Sequence, residues 1–428
     1  MERVFGMDVH KNVLVTTIIT EEGEETRWSG VEAGDLENLM EWLKEKNCLK
    51  GVMESTGIYW VPIYVTLVDN GFQVTVANAH QVKAIPGRKT DELDSQWLAR
   101  IFSAGLVKPS YIPEKKIMEL RNLTRLRVAL LEEQTAFKNR AHKILQICNI
   151  RLASKLSNIF GKDGQMLLNA LMKRESIDEV IEKYGSKRLK AKKEEVKESI
   201  LGVLNETDII QLKICLENIN RLEEQIRQLN AKIATMVNKK DVERISKVPG
   251  LAEVSASAVI AEIADPRRFQ NDKKINSWSG LAPSTYQTGG KKPKSGHITK
   301  KGNKWLRRTL VQCAKVAIKA RNSQIRQFYL RIRGRRGHNI AIVATARKLL
   351  DIIWHLLITG EEYIDKHYEE NHDKIKEEDA QTSIRRGNTT TQTSRIHNHS
   401  TRLAWQKRFW KIHPKKRSDN DRFHIVPC

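Results

Sequence analysis

A chain of 428 residues with 75 Lys+Arg against 51 Asp+Glu carries a formal charge of +24. That charge calls for a polyanionic partner, and the length leaves room for two or three domains. No apolar run reaches the roughly 18 residues of a membrane span and no signal-peptide pattern is visible, so nucleic acid is expected as the polyanion in preference to lipid. The five cysteines, Cys48, Cys148, Cys215, Cys313 and Cys428, form no Cys-x-x-Cys pair. Neither a zinc ribbon nor a disulfide framework is expected, and a reducing cytoplasm is the natural compartment.

In chain order, residues 3–9 predict a strand and 13–19 a second, rich in β-branched residues. The acidic run at 21–25 reads as a turn before a third short strand near Thr26–Ser29. Leu36, Leu39, Met40 and Leu43 recur at helical spacing over 34–46. A strand over Lys50–Met53 leads into Glu54, followed by a helix over 58–69, a strand over Phe72–Ala77 and a helix over Asp91–Ala104. The order β-β-β-α-β-α-β-α predicts an α/β fold. Long helical patterns follow over 115–148 and 205–238, with Leu212, Leu216, Ile219, Leu222 and Ile226 at spacings of three and four. That spacing suits an antiparallel helical hairpin or a coiled coil, with the Lys/Glu-rich stretch 150–204 as an insertion at its tip. Residues 245–355 predict a mostly helical basic domain. The expected divisions are an α/β domain at 1–110, a helical coiled-coil arm at 111–240, a mostly α basic domain at 241–360 and a disordered basic tail at 361–428.

Charge is divided along the same lines. Residues 1–110 hold 11 basic and 16 acidic side chains, and the remainder holds 64 and 35. Metal chemistry and nucleic-acid holding are therefore expected in different parts of the chain. Asp8 ends the first predicted strand, Glu54 ends the fourth, and Asp91 and Asp94 share one face at the start of a helix. If the two strands are neighbours, the four carboxylates converge and repel one another unless cations neutralise them. An all-oxygen set suits Mg2+ or Mn2+, and such ions serve phosphodiester chemistry. Each acid also has a plainer reading. Asp8 can be a turn residue, and Asp91 and Asp94 can simply favour a helix N-terminus capped by Thr90. His10, two residues after Asp8, lies on the same face of an ideal strand.

In the basic region, Val248-Pro249-Gly250 precedes a helix through Ala256, Ile260 and Ile263. Pro249 and Gly250 could open a helix-hairpin-helix-like grip on a phosphate, or an ordinary helix–helix turn. Residues 267–348 hold 22 Lys+Arg and one acid, Asp272. Such one-sidedness points to phosphate contact rather than to a mixed solvated face.

The strings Gly6-Met7-Asp8-Val9-His10-Lys11, Met53-Glu54-Ser55-Thr56-Gly57-Ile58-Tyr59 and Arg88-Lys89-Thr90-Asp91-Glu92-Leu93-Asp94 resemble the DEDD transposases of bacterial and archaeal insertion sequences. The resemblance covers about residues 1–360. It implies an RNase H/RuvC-like N-terminal domain, a helical arm for oligomerisation as a dimer or tetramer, DNA as substrate and a structured guide RNA as a further partner. The stretches Gly280-Leu281-Ala282-Pro283, Gln287-Thr288-Gly289-Gly290-Lys291 and His297 to Asn303 resemble the second signature of the family. Relatives carry a serine nucleophile where this chain has Thr288, whose β-methyl restricts its rotamers and crowds attack. Ser284 and Ser295 are the nearby alternative hydroxyls. Lys291, Lys292, Arg307 and Arg308 are candidates to stabilise phosphate charge, and Lys300, Lys301 and Lys304 to hold the backbone. The resemblance implies a transposase or recombinase. The carboxylates alone would equally serve a metal-dependent junction nuclease with no covalent intermediate, and the charge alone a non-catalytic nucleic-acid-binding protein.

Overall fold

The computed structural model describes residues 3–54, 57–77, 91–286 and 294–365, without the side chains of 91–93, 285, 286, 294 and 295. Strands β1 (Val4–Val9), β2 (Leu14–Thr20) and β3 (Gly23–Ser29) form the expected meander. They precede α1 (Ala33–Glu45), β4 (Lys50–Glu54), α2 (Trp60–Asp69), β5 (Gln73–Ala77) and α3 (Asp91–Ser103). The acidic turn is tighter than expected, because β3 begins at Gly23, opposite Thr20. The sheet order is β3-β2-β1-β4-β5. β1 pairs antiparallel with β2 and parallel with β4, and β4 is parallel to β5.

Alternation along the strands separates two cores. Phe5, Met7, Val9 and Met53 pack with Leu39, Leu43, Ile63 and Leu67 of α1 and α2. Val4 and Ile19 pack with Ala99, and Val52 with Leu98 and Ile101, on the face that α3 covers. Helices on both faces explain why β2 is buried almost throughout, whereas the edge strand β3 is polar and mostly exposed, as suits an edge.

The long helices α4 (Lys115–Ile147) and α9 (Glu206–Met236) pack against one another. Between them lie α5 (Lys162–Lys173), α6 (Ile177–Tyr184), α7 (Lys187–Lys190) and α8 (Lys193–Glu198). This tip has a core of its own, with Leu167, Leu168, Ile181, Leu189 and Val196 packed on the ends of α4 and α9. A bridge between Ile150 and Ile200 closes it at the base. The Lys/Glu richness that makes the tip look irregular in sequence is confined to the outside of these short amphipathic helices.

The basic region comprises α10 (Lys239–Ser246), α11 (Glu253–Ile263), α12 (Asp272–Ser279), α13 (Lys304–Ala317), α14 (Gln324–Arg336) and α15 (His338–Thr359) around one apolar core. An antiparallel hairpin, β6 (Pro283–Tyr286) and β7 (Lys294–Ile298), interrupts the helices. Its strands, Pro-Ser-Thr-Tyr and Lys-Ser-Gly-His-Ile, carry too few apolar residues to announce themselves by alternation. Residues 322–324 with 364 and 365 belong to a unit apart from the rest, within which Asp365 accepts a hydrogen bond from the Gln324 N–H at 3.0 Å, and the tail expected over 361–428 lies outside the described residues from 366 on. Among the described residues, no helix is long and apolar enough to cross a membrane.

Candidate active site

Parallel register sets the first two acids side by side. Met7 pairs with Met53 across β1 and β4, so the next residue on each strand is Asp8 and Glu54. Both lie at the carboxyl ends of neighbouring parallel strands, where open α/β sheets present their sites. Asp8 shares a face with Val4 and Gly6, and Glu54 with Val52, by the two-residue period of a strand. That is the face covered by α3. The Asp8 side chain is 15% exposed, and His10 Nε2 lies 2.9 Å from its Oδ2.

Helix α3 runs antiparallel to β1. Val4 packs with Ala99, and Gly6 lies beneath Ser95 and Ala99. Continuing that register, the first turn of α3, with Asp91 and Asp94, lies toward the Asp8 end of the strand. Asp94 is half-buried, and the Asp91 side chain lies outside the described residues. The approach of helix to strand is unusually close. A Cβ on residue 6 would fall 2.3 Å from the Ser95 carbonyl oxygen and 2.4 Å from the Ala99 nitrogen. Two polar ties fix the helix further. The buried Ser95 hydroxyl shares a 2.7 Å hydrogen bond with Thr17, which shares one of 2.8 Å with Thr26. The Arg100 guanidinium donates two 2.8 Å hydrogen bonds to Glu24 on β3.

The donor set is all carboxylate oxygen, the chemistry a hard divalent ion requires. Among the described residues, no three His, Cys, Asp or Glu side chains already gather as a ligand cluster. Asp8 and Glu54 are thus brought together and Asp94 is directed to their end of the sheet.

In the basic region, Gly250 has φ +86, and a Cβ there would fall 2.4 Å from the Cys313 carbonyl oxygen and 2.6 Å from the Ala317 nitrogen. The Pro249-Gly250 turn therefore seats the α10–α11 corner on α13, which accounts for the glycine by packing alone. Lys300 and Lys301 are exposed just before Gly302, whose φ of +136 lets the chain pass over the Trp278 carbonyl. Asn303 then caps α13 by accepting from the Trp305 and Leu306 N–H groups, each at 3.0 Å. Lys304 is exposed, Arg307 donates to the Ser279 carbonyl at 3.2 Å, and Arg308 is ion-paired to Glu132 of the arm. Thr288, Lys291 and Lys292 fall between β6 and β7, outside the described residues. Of the alternative hydroxyls, Ser284 donates to the His297 carbonyl at 2.9 Å, across the hairpin, while the Ser295 side chain is outside the described residues.

One polar cluster was missed in the sequence. Glu262 of α11, its side chain 3% exposed, accepts two hydrogen bonds from Arg125 of α4 at 2.7 and 2.8 Å and one from the Asn303 amide at 2.7 Å. Arg121 donates to the Ala261 and Glu262 carbonyls, both at 2.8 Å. The signal available was a lone acid in the apolar run Ala-Val-Ile-Ala-Glu-Ile. Nearby, the Arg268 guanidinium lies over the rings of Tyr111, Phe269 and Trp278 at 4.3, 4.1 and 4.3 Å, and burial pushes its pKa down to about 10.

Comparison with known proteins finds matches in two separate stretches of the chain. A family model described as "Transposase" matches residues 5–150, and one described as "Transposase IS116/IS110/IS902 family" matches residues 242–330. A probable family 20 transposase of Pseudomonas aeruginosa is 31% identical over 33% of this chain and 45% of its own length. The transposase for insertion sequence element IS1111A of Coxiella burnetii is 24% identical over 84% of this chain and 91% of its own. The pilin gene-inverting protein of Moraxella bovis is 29% identical over 32% of this chain and 44% of its own. The chain thus spans under half the length of two of these relatives and nearly all of the other. Among solved structures, T. thermophilus RuvC in complex with a Holliday junction substrate aligns over all of that chain and 26% of this one, at 13% identity and a TM-score of 0.21. With one family model on the carboxylate-bearing sheet and a second on the basic region, the chain belongs to the DEDD transposase family of insertion sequences.

Proposed function

We propose that this chain cuts and rejoins DNA as a transposase, with Asp8, Glu54, Asp91 and Asp94 forming the site for Mg2+ or Mn2+ and Thr288 supplying the nucleophilic hydroxyl. The observation that carries the reading is the register that makes Asp8 and Glu54 neighbours at the open end of the sheet, beneath the first turn of α3. When bound, a divalent ion supplies neutralisation of the carboxylates and of the charge that builds on a phosphodiester under attack. Asp8 and Glu54 hold a fixed position because the sheet fixes it, and Asp94 because Ser95, Gly6 and Arg100 fix α3. His10, at 2.9 Å, orients the Asp8 carboxylate.

In the covalent step the Thr288 oxygen attacks a DNA phosphorus. A threonyl phosphodiester forms, the bond from phosphorus to one DNA oxygen breaks, and that oxygen leaves with the threonine's proton. Attack by the hydroxyl of a second strand reverses these changes and joins the new partners. The basic region, through Lys291, Lys292, Lys300, Lys301, Lys304, Arg307 and Arg308, holds the DNA backbone, with Pro249 and Gly250 setting the corner beside it. A structured guide RNA and a dimeric or tetrameric assembly complete the proposed working state.

The test is covalent trapping. Protein is incubated with nicked or junction DNA and Mn2+, denatured, and resolved for a protein–DNA adduct. The expected adduct disappears in Thr288→Ala and in Asp8→Ala. Hydrolysis with no adduct, insensitive to Thr288→Ala, would establish a junction nuclease instead. Full activity in Asp8→Ala and Glu54→Ala would remove the carboxylate site altogether.

A further inference from the structure

The tip of the helical arm carries a cleft of about 360 Å³ that plays no part in the reading above. It opens between the segment leading into α5 and the segment over α7 and its end. Lys155, Lys162, Arg188 and Lys192 line it, with a single carboxylate, Asp163. That carboxylate is already engaged, accepting hydrogen bonds from the Ser186 N–H at 3.3 Å and its hydroxyl at 2.6 Å.

The pairing of charges around the tip is selective. Lys193 and Lys197 pair with Asp178, Glu182 and Glu194, and Lys173 with Glu175. Lys155 makes a 3.7 Å contact with Glu195. Among the described residues, no carboxylate lies within ion-pair distance of Lys162, Arg188 or Lys192, all of which line the cleft. Lys162 and Arg188 are exposed and Lys192 is half-buried. Unpaired cations held together around a concavity repel one another, and an anion placed between them relieves that cost. Ser157 and Asn158 on the rim add polar groups suited to phosphate oxygens.

We infer that the arm tip is a second nucleic-acid contact, in which Lys162, Arg188 and Lys192 grip the phosphodiester backbone of duplex DNA. The inference rests on the reading above only for the class of partner. Its chemistry is sequence-independent, since no base-reading geometry is needed to neutralise a backbone phosphate. It gives the arm a role in holding the polymer at a distance from the carboxylate sheet.

The experiment uses the full chain. Affinities for a 30-base-pair duplex and for a hairpin RNA are measured between about 50 and 200 mM salt, a range wide enough to read the salt slope. The variants are Arg188→Glu with Lys192→Glu, and separately Lys162→Glu. Arg151→Glu serves as a control of equal sign, because Arg151 is exposed on the same module but does not line the cleft. Each lost contact lowers the magnitude of the logarithmic salt slope on duplex by about 0.9, so the double variant should lose nearly 2 and Arg151→Glu close to none. A slope that changes on the hairpin RNA alone overturns the assignment to duplex DNA. Slopes and affinities equal to wild type on both polymers, or equal to those of the Arg151→Glu control, overturn the inference. Wild-type protein that binds neither polymer overturns the transposase reading instead, so the two failures are distinct.

Discussion

Replacing Gly6 by alanine is the most searching test of how the site is built. The new methyl group would sit 2.3 Å from the Ser95 oxygen and 2.4 Å from the Ala99 nitrogen, where ordinary contact begins near 3.4 Å. Both obstacles are helix backbone, so no side chain can swing aside, and α3 must retreat by about 1 Å. Overpacking of this kind costs about 1–3 kcal/mol. The retreat also carries Asp94 away from Asp8 and Glu54, and a misplacement of about 1 Å in a catalytic constellation costs on the order of 100-fold in rate. Thermal melts and Mn2+-dependent cleavage of labelled junction DNA would be compared for wild type, Gly6→Ala and Gly34→Ala. The last makes the same chemical change in α1, where an added Cβ meets nothing within 4 Å. Gly34→Ala should match or slightly exceed wild type in stability, since alanine favours a helix by up to about 1 kcal/mol. A Gly6→Ala protein that melts and cleaves like wild type would refute the argument that this glycine sets the position of α3.

Two further outcomes follow from the buried polar groups of the basic region. Glu262→Ala strands Arg125, removes the 3.8 Å ion pair with Arg121 and a partner of Asn303, and leaves Arg121 its two backbone carbonyls; it should cost about 3 kcal/mol in chemical denaturation. That figure is at the low end for a broken buried pair because Arg125 is 35% exposed. A loss under about 1 kcal/mol, the worth of an exposed pair, would show that the cluster contributes little. Burial raises the Asp351 carboxyl above its ordinary value of 3.8, against the opposing hydrogen bond from Asn276. The folded chain therefore keeps that proton to higher pH than the unfolded chain does. Stability contributed at this position falls as pH rises from about 3.8 through the raised folded value, and levels off above it. Asp351→Asn removes the fall, so its melting temperature relative to wild type should climb across that window, whereas parallel curves would contradict the assignment.

Much of the N-terminal architecture was legible because strands and helices there obey simple periods. β1 and β2 are apolar runs, α1 and α3 have clear stripes, and an acid stands at the end of β1 and of β4. What periodicity cannot supply is register. That Asp8 and Glu54 are neighbours depends on β4 entering beside β1 rather than β3, a long-range pairing with no local mark. Gly6 was visible only as part of a string, because the need for a missing Cβ exists only once α3 is laid across the strand. The β6–β7 hairpin escaped for a different reason: its polar strands are held by partner hydrogen bonds rather than by a buried face. Thr288, the proposed nucleophile, falls in sequence between those strands, outside the described residues.

The Glu262 cluster has a mechanical consequence. One carboxylate joins Arg125 on the arm, α11 on which it sits, and Asn303 at the head of α13, directly after the lysines at 300 and 301. Three helices are thereby geared to a single tooth. Turning the arm about its root strains the hydrogen bonds that lead to the lysine-bearing corner, so a load applied far out along α4 and α9 would be felt as torque at the proposed DNA grip.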